Sequence, residues 1–520
     1  LAPDGSAGAA VVAVLKQHVG GASVVQAALA ALRNISDDET TCVPLVCDHG
    51  ATDAIVVALQ QHADNLEVAA CGTLKNLGAP NRPGTRERMA RVDGIGVAFV
   101  SALQRHASDV EVAAAGCQTL TYLAVVEAGR TLLGSDGSVG AAVVAMLKQH
   151  VDNASVASAA IDAVCNFSFD AAASVTLVRD HGAAAAVVAA MQQHADNVVV
   201  VRAACRTLRN LASSSEARAL LVCDVSIANA VVAALQRHGS DTEAATVGCW
   251  VLCNLADVPE GRTLLARDDR ASAVVVAVLK QHTENANVTE AALNALWNMS
   301  ANGTTCMRLL QAFLVIPVIA AALQRHADNG NVAQAACSVL RNLGANAPTL
   351  LVVEQAVVDA LVAALQLHGS ESITAANGCW ALYRIACVEE NRALVAPERS
   401  AEVVVGLLRN NLSDCATVEA ACNAFWALVQ LLRSSTATGA RVEGAGAAVL
   451  AALRCYAECN VQMVHAITRA LWYLANQSCL YATLGPLTSE DAAALRRAMA
   501  THATNRNVQL FCDDALTLLH

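Results

Sequence analysis

The sequence predicts an all-α solenoid of about twelve stacked repeats, on three observations. Histidine recurs at His18, His62, His106, His150, His194, His238, His282 and His326, each 44 residues after the last, and His368 follows after 42. A fixed period of this length marks a repeat array. Apolar residues make up 55% of the chain, aromatic residues 3% and charged residues 15%, against about 25% charged in ordinary domains. The excess is Ala, Val and Leu, which pack helices closely, and Ala and Leu favour helix outright. Finally, three short phrases return in the same order around each histidine.

The first phrase ends at the histidine, as in Val-Val-Ala-Val-Leu-Lys-Gln-His (11–18) and Val-Val-Ala-Ala-Leu-Gln-Arg-His (231–238). It reads as an apolar helix closed by His, whose ring suits a helix C-terminus. Asn410, Tyr456 and His502 hold the matching place in three degenerate copies. The second phrase begins after a polar loop such as Ala-Asp-Asn and reads Ala-Leu-Arg-Asn-Ile-Ser (31–36) or Val-Leu-Cys-Asn-Leu-Ala (251–256). It places Asn34, Asn76, Asn166, Asn210, Asn254, Asn298 and Asn342 on a longer helix, with Tyr122, Arg384, Ala427, Tyr473 and Leu518 elsewhere. The third is a short helix with an Arg, as in residues 259–265 and 389–395. Gly50, Gly94, Gly137 and Gly182 follow it, where a helix must stop and turn. Each unit is therefore a short helix, a helix ending at His and a longer helix carrying Asn.

A longer period overlies this one. Leu-Lys-Gln-His recurs at 15–18, 147–150 and 279–282, every third unit, and Gly-Cys marks the third unit of each set at 116–117, 248–249 and 378–379. The chain is thus expected to be one solenoid of three-unit blocks of about 132 residues, at 1–140, 141–272, 273–402 and 403–520.

The phrase "Gly … Val-Val-x-x-Leu … Ala-Leu-x-Asn-Leu-Ala … Asn-Arg" resembles the armadillo repeat of beta-catenin and importin-alpha type proteins, and it covers essentially the whole chain. Three helices per unit and Leu-x-Asn-Leu separate it from HEAT repeats. The resemblance implies a right-handed solenoid whose third helices line a concave groove. It also implies that the seven Asn residues point into that groove and bond the backbone of an extended peptide, which an amide can do because it both donates and accepts. Bonding to the neighbouring repeat is the alternative role for them.

Helix geometry places the residues four before and one before the Asn on its face. All five tryptophans, Trp250, Trp297, Trp380, Trp426 and Trp472, occupy those two positions, with Tyr383 and Tyr473 beside them. Trp250 with Asn254 is similar to the Trp-x-x-x-Asn pair of nuclear-import adaptors, whereas Trp380 has Arg384 in place of Asn. These residues are expected to form a peptide-binding groove centred on 250–475, or else to stiffen an aromatic-poor core. The same face carries Arg33, Lys75, Arg206, Arg209, Arg341, Arg384 and Arg469, against the acids Asp162 and Asp514. In a chain of net charge −11 such a basic stripe predicts an acidic or phosphorylated partner segment.

The net charge argues against nucleic acid held by phosphate contacts. No apolar run reaches the ~20 residues of a membrane span. The 19 cysteines fall mostly on apolar helix positions, where free Cys acts as a small hydrophobe. They favour a reducing compartment, hence a cytoplasmic and also nuclear location. Leu1 is not an initiator, so a fragment or processed product is expected. The histidine ladder cannot chelate a metal, because repeats stack about 10 Å apart and ligands must all lie near 2 Å. No phosphate loop, nucleophile elbow or zinc spacing occurs, so no catalysis and no cofactor are expected. The pattern specifies no oligomeric state. The reading is a protein-interaction scaffold, with a nuclear-transport adaptor or the regulatory repeats of a larger signalling enzyme as alternatives.

Overall fold

The computed structural model describes residues 6–62, 67–80, 83–134, 137–434, 442–476 and 487–519. It divides into two units, Leu1–Leu264 and Leu265–His520. Each is an all-α stack of armadillo-type repeats. Twelve third helices lie among the described residues, from Ala22–Ile35 to Arg506–Leu519.

One repeat shows how sequence sets the elements. Asp170 caps the first helix, Ala171–Arg179, by accepting from the Ala173 N–H. Gly182 then turns the chain with φ of 65°, in the left-handed region that favours glycine. The second helix, Ala183–Gln193, stops at His194. Asn197 caps the third helix, Val198–Leu211, by accepting from the Val199 and Val200 N–H groups, which satisfies donors that every helix start leaves open. Val200, Ala204, Leu208 and Leu211 of that helix are buried.

The histidines are staples between repeats. The Nε2 of His150 bonds the Ala107 carbonyl oxygen at 2.6 Å, that of His194 Val151 at 2.8 Å and that of His238 Ala195 at 2.7 Å. In the second unit His326 reaches Thr283 at 2.9 Å and His368 reaches Ala327 at 2.8 Å. Each bond goes to the residue just after the preceding repeat's histidine. The same rule corrects one register: Asn411, not Asn410, continues the ladder by donating to the Gly369 oxygen, and the Tyr456 hydroxyl then donates to Leu412.

The other landmarks also have local causes. Arg130, Arg218 and Arg262 of the short first helices donate to the last carbonyls of the preceding third helix, at Ala124, Ala212 and Ala256, a C-terminal cap. The Asn-x-Ser phrases end in Ser36, Ser168 and Ser300, whose hydroxyls donate to the carbonyl three residues back. The Gly-Cys of every third unit marks a close approach. A Cβ on Gly116, Gly248 or Gly378 would lie 2.9, 2.6 or 2.5 Å from the leucine of the preceding second helix, Leu103, Leu235 or Leu365. Of the 18 cysteines among the described residues, 12 are buried. Burial pushes the Cys205 and Cys337 thiols up to about 12, as expected of small core residues.

One expected element is different. Residues 389–395 do not form a short helix; a single 3-10 turn spans Glu389–Asn391, as another spans Pro348–Leu350. The cause is Asn391, which is fully buried. Its amide donates to Leu351 and Ile385 and accepts from the Val353 N–H, doing what the arginine does elsewhere. Among the described residues, no single helix is long and apolar enough to cross a membrane.

Two expectations about stability follow from these elements. Leu314 occupies the turn position that glycine holds elsewhere, with φ of 48°, and the residue is 65% exposed. A left-handed non-glycine residue costs about 1–2 kcal/mol. Leu314→Gly should raise the unfolding free energy by about 1 kcal/mol in denaturant titration, the remainder offset by glycine's unfolded-state entropy. Hydrogen bonds from Arg202 hold the Asp241 carboxyl below its ordinary value. Its contribution is present above its unfolded pKa of about 4 and is lost as pH falls through the lower folded pKa. Asp241→Asn should therefore flatten the acid limb of the stability profile below about pH 4, while leaving the helix cap intact.

Candidate functional site

The faces of the third helices gather the predicted groove residues, and in the second unit they form a continuous aromatic row. Ser372–Cys387 contributes Trp380 and Tyr383, with ring centroids 5.6 Å apart in an edge-on contact. Tyr383 lies 6.2 Å from Trp426 of Cys415–Ser434. Trp426 lies 6.1 Å from Tyr473 of Val461–Ala475. Tyr473 packs edge-on at 5.0 Å against Trp472, which continues to Phe511 of Arg506–Leu519 at 5.5 Å. Such contacts add about 0.5–1.5 kcal/mol each beyond area burial.

All five tryptophans are half-buried, not exposed. Those at 380, 426 and 472 pack within the row, and the Trp472 indole N–H donates to Asp514 at 2.6 Å. Stiffening is therefore part of what these residues do. The Trp426 indole nitrogen is buried and has no hydrogen-bond partner among the described residues. Trp250 stands apart in the first unit, with the Arg209 guanidinium 5.7 Å from its ring centroid. Trp297 supplies its carbonyl to Asn342.

The asparagines are committed to the chain through their amide nitrogens. Asn76 donates to the Arg33 oxygen at 3.2 Å and Asn166 to Thr121 at 2.9 Å. Asn210 donates to Cys165 at 3.3 Å, Asn254 to Arg209 at 3.1 Å and Asn342 to Trp297 at 3.0 Å. In every case the acceptor lies on the preceding third helix, so these amides join repeat to repeat. One N–H of each of these five amides is thereby used inside the chain, and Asn166 and Asn254 keep a second N–H as well as the amide oxygen. Asn34 is exposed and Asn298 half-buried on the same face.

The basic stripe is mixed in the first unit: among the described residues Arg33, Lys75 and Arg209 have no carboxylate within ion-pair distance, and Arg209 lies against the Trp250 ring. Arg206 carries no free charge: it pairs with Asp162 at 3.1 Å and Glu243 at 3.2 Å. This corrects the expectation that it presents basic charge to a ligand, and Glu243 is an acid that the spacing argument left out. In the second unit the guanidiniums lie on amides and rings instead. Arg341 donates to the Asn377 side-chain oxygen at 2.7 Å, and Asn377 in turn to the Ser338 hydroxyl. Arg384 lies 5.3 Å from the Tyr383 ring centroid and 5.9 Å from that of Trp380. Arg469 stacks on Trp426 at 3.6 Å and donates to the Asn423 side-chain oxygen at 2.5 Å. Among the described residues, no carboxylate lies within ion-pair distance of Arg341, Arg384 or Arg469. Burial lowers the Arg469 guanidinium from its ordinary value, but a guanidinium remains charged at neutral pH.

Sequence reasoning missed Asn377, Asn423, His465, Phe511 and Cys387. Asn377 and Phe511 lie seven residues before the Asn-equivalent position, and His465 lies eight before it. Extending the face by one more helical turn finds them. His465 stacks on Phe511 at 5.7 Å, and burial followed by the nearby Arg469 charge pushes its pKa down. Among the described residues, no group of His, Cys, Asp and Glu is arranged to hold a metal ion.

The packing separates two tryptophans that the spacing treats alike. Trp426→Ala removes the centre of the aromatic row and the platform under Arg469, and should cost about 3 kcal/mol in denaturant unfolding. Trp250→Ala removes one ring and one guanidinium contact, and should cost about 1 kcal/mol. Equal losses would mean that the row contributes nothing beyond single-residue burial.

Residues 223–410 match a family model described as the LRRK2 ARM repeat. Among curated proteins, none matches the sequence. Among solved structures the chain is similar to one from work on a conserved phosphorylation switch that controls the interaction between cadherin and beta-catenin. That match has a TM-score of 0.71 and 14% identity, and covers 98% of each chain. An identity this low speaks to fold alone. The family match over residues 223–410, the recurring phrases and the shared fold together make the chain an all-α array similar to armadillo repeats.

Proposed function

We propose that the chain is a non-catalytic scaffold that holds an extended acidic or phosphorylated segment along the third helices of its second unit. The carrying observation is the state of three arginines. Arg341, Arg384 and Arg469 are positioned by amides and rings, with no carboxylate in reach among the described residues. Elsewhere Arg202, Arg206 and Arg218 are ion-paired. Fixed guanidiniums on aromatic platforms suit planar, bidentate anions. Half-buried tryptophans beside them suit the centre of a peptide interface. The structural neighbour concerned with cadherin and beta-catenin, where a phosphorylation switch controls the interaction, supports the same partner class. The match to the LRRK2 ARM repeat favours a second reading, in which the array is the regulatory part of a larger signalling enzyme and its segment belongs to that enzyme.

Fluorescence anisotropy with a labelled Glu-rich peptide and its phosphoserine counterpart tests the proposal. The double variant Arg341→Ala, Arg384→Ala should weaken both peptides by at least about tenfold, from two charge-assisted bonds of about 1.5 kcal/mol each. Arg206→Ala should leave them within about twofold. Equal binding by the double variant, or a larger loss from Arg206→Ala, would remove the second-unit arginines from the interface.

A further inference from the structure

A second recess lies in the first unit, on the first helices rather than the third. The first helix Glu127–Gly134 packs against Pro83–Ala90, and Ala171–Arg179 packs against Ser215–Leu221, but these two pairs scarcely touch each other. Between Glu127–Gly134 and Ala171–Arg179 is a cavity of about 630 Å³. Glycines and alanines keep it open. A Cβ on Gly134 would meet no atom within 4 Å, and one on Gly140 would stop 3.0 Å from Leu177.

Two features mark it as more than a packing gap. The His181 Nε2 atom is buried and has no hydrogen-bond partner among the described residues, and an unmet polar atom of this kind costs free energy. Phe169 lines the cavity and is 65% exposed. The same position in other repeats holds smaller residues, as at Asp37, Ala79, Val125, Ser213, Asp257 and Ala301. The Arg130 guanidinium lies 5.7 Å from its ring centroid, held by bonds from Arg130 to the Ala124 and Val125 oxygens.

We infer that this cavity binds a small, neutral, planar aromatic molecule that carries one hydrogen-bonding group. Its volume falls in the range of small-molecule sites, about 300–1,000 Å³. The Phe169 ring and the apolar wall of Leu177 and Ala173 take the aromatic face. His181 Nε2 takes the polar group, as donor or acceptor according to its tautomer. Charge selects neutrality: the Glu127 and Asp170 carboxylates oppose an anion, and Arg130 opposes a cation. The site is independent of the peptide face, because it shares no residue with it.

Isothermal titration of the whole chain with indole tests this. Saturable binding is expected, about fivefold tighter than for 1-methylindole, which lacks the N–H that His181 would accept. Ala173→Leu, which fills the cavity, should weaken indole at least tenfold. Phe169→Ala, at an exposed position, should weaken it severalfold without altering the melting temperature. If Ala173→Leu does not fold, Phe169→Ala alone decides. Absence of saturable binding at millimolar indole would overturn the inference. So would indole binding unchanged by Phe169→Ala, or benzoate binding as tightly as indole.

Discussion

Side chains that reach one repeat back hold this array in register. In a solenoid each repeat touches only its neighbours, so stability accumulates interface by interface. Ala and Val supply dense packing but little directional information. Direction comes from polar bonds: a ring nitrogen at the end of a second helix finds a carbonyl of the preceding repeat, as His194 finds Val151. An amide on a third helix finds another, as Asn254 finds Arg209. Each such bond is worth only about 1 kcal/mol net. Each also demands a fixed offset between neighbouring helices, so slippage would break it and leave a partly buried acceptor unmet. The histidine and asparagine periods in the sequence are this constraint made visible.

Commitment of the asparagines to the chain has a consequence for recognition. Five of them spend at least one N–H on the preceding repeat, so under the proposed function much of the discrimination falls to the residues between them. In the first unit Arg206 is matched, set between Asp162 and Glu243, while Arg209 lies against the Trp250 ring. In the second unit Arg341, Arg384 and Arg469 have no carboxylate within ion-pair distance among the described residues. Arg384 and Arg469 lie on Tyr383 and Trp426, and the row continues to Phe511. A guanidinium on a ring loses part of its hydration before any ligand arrives, which raises the value of an incoming carboxylate or phosphate.

Much of the fold was legible because the repeat restates it. The left-handed glycines, the capping Asp and Asn residues and the helix ending at His recur often enough to be read without coordinates. Where one copy departs from the pattern, reading failed. Residues 389–395 keep the Asn-Arg phrase, yet Asn391 turns inward and replaces a helix with one 3-10 turn. Nothing in the local sequence reports that a buried amide has taken over the arginine's role. The face of the site was legible from helical periodicity, and its electrostatics were not. That Arg206 is neutralised and Arg384 is not depends on Asp162 and Glu243, which lie 44 residues before and 37 after Arg206. Only the packing of three consecutive third helices brings them together. Phe169, an aromatic residue where other repeats carry smaller side chains, was visible in the sequence, but the cavity beside it was not.

The proposed function requires that the second unit's third-helix face favour negative charge although the chain as a whole is acidic. Its most direct test is an array of extended peptides matched in length and hydrophobicity and graded from Lys-rich through neutral to Glu-rich and phosphorylated, titrated against the whole chain at two salt concentrations. Affinity should rise with each added negative charge, and this gain should shrink at high salt. Tighter binding of Lys-rich peptides, or affinity independent of peptide charge, would contradict it.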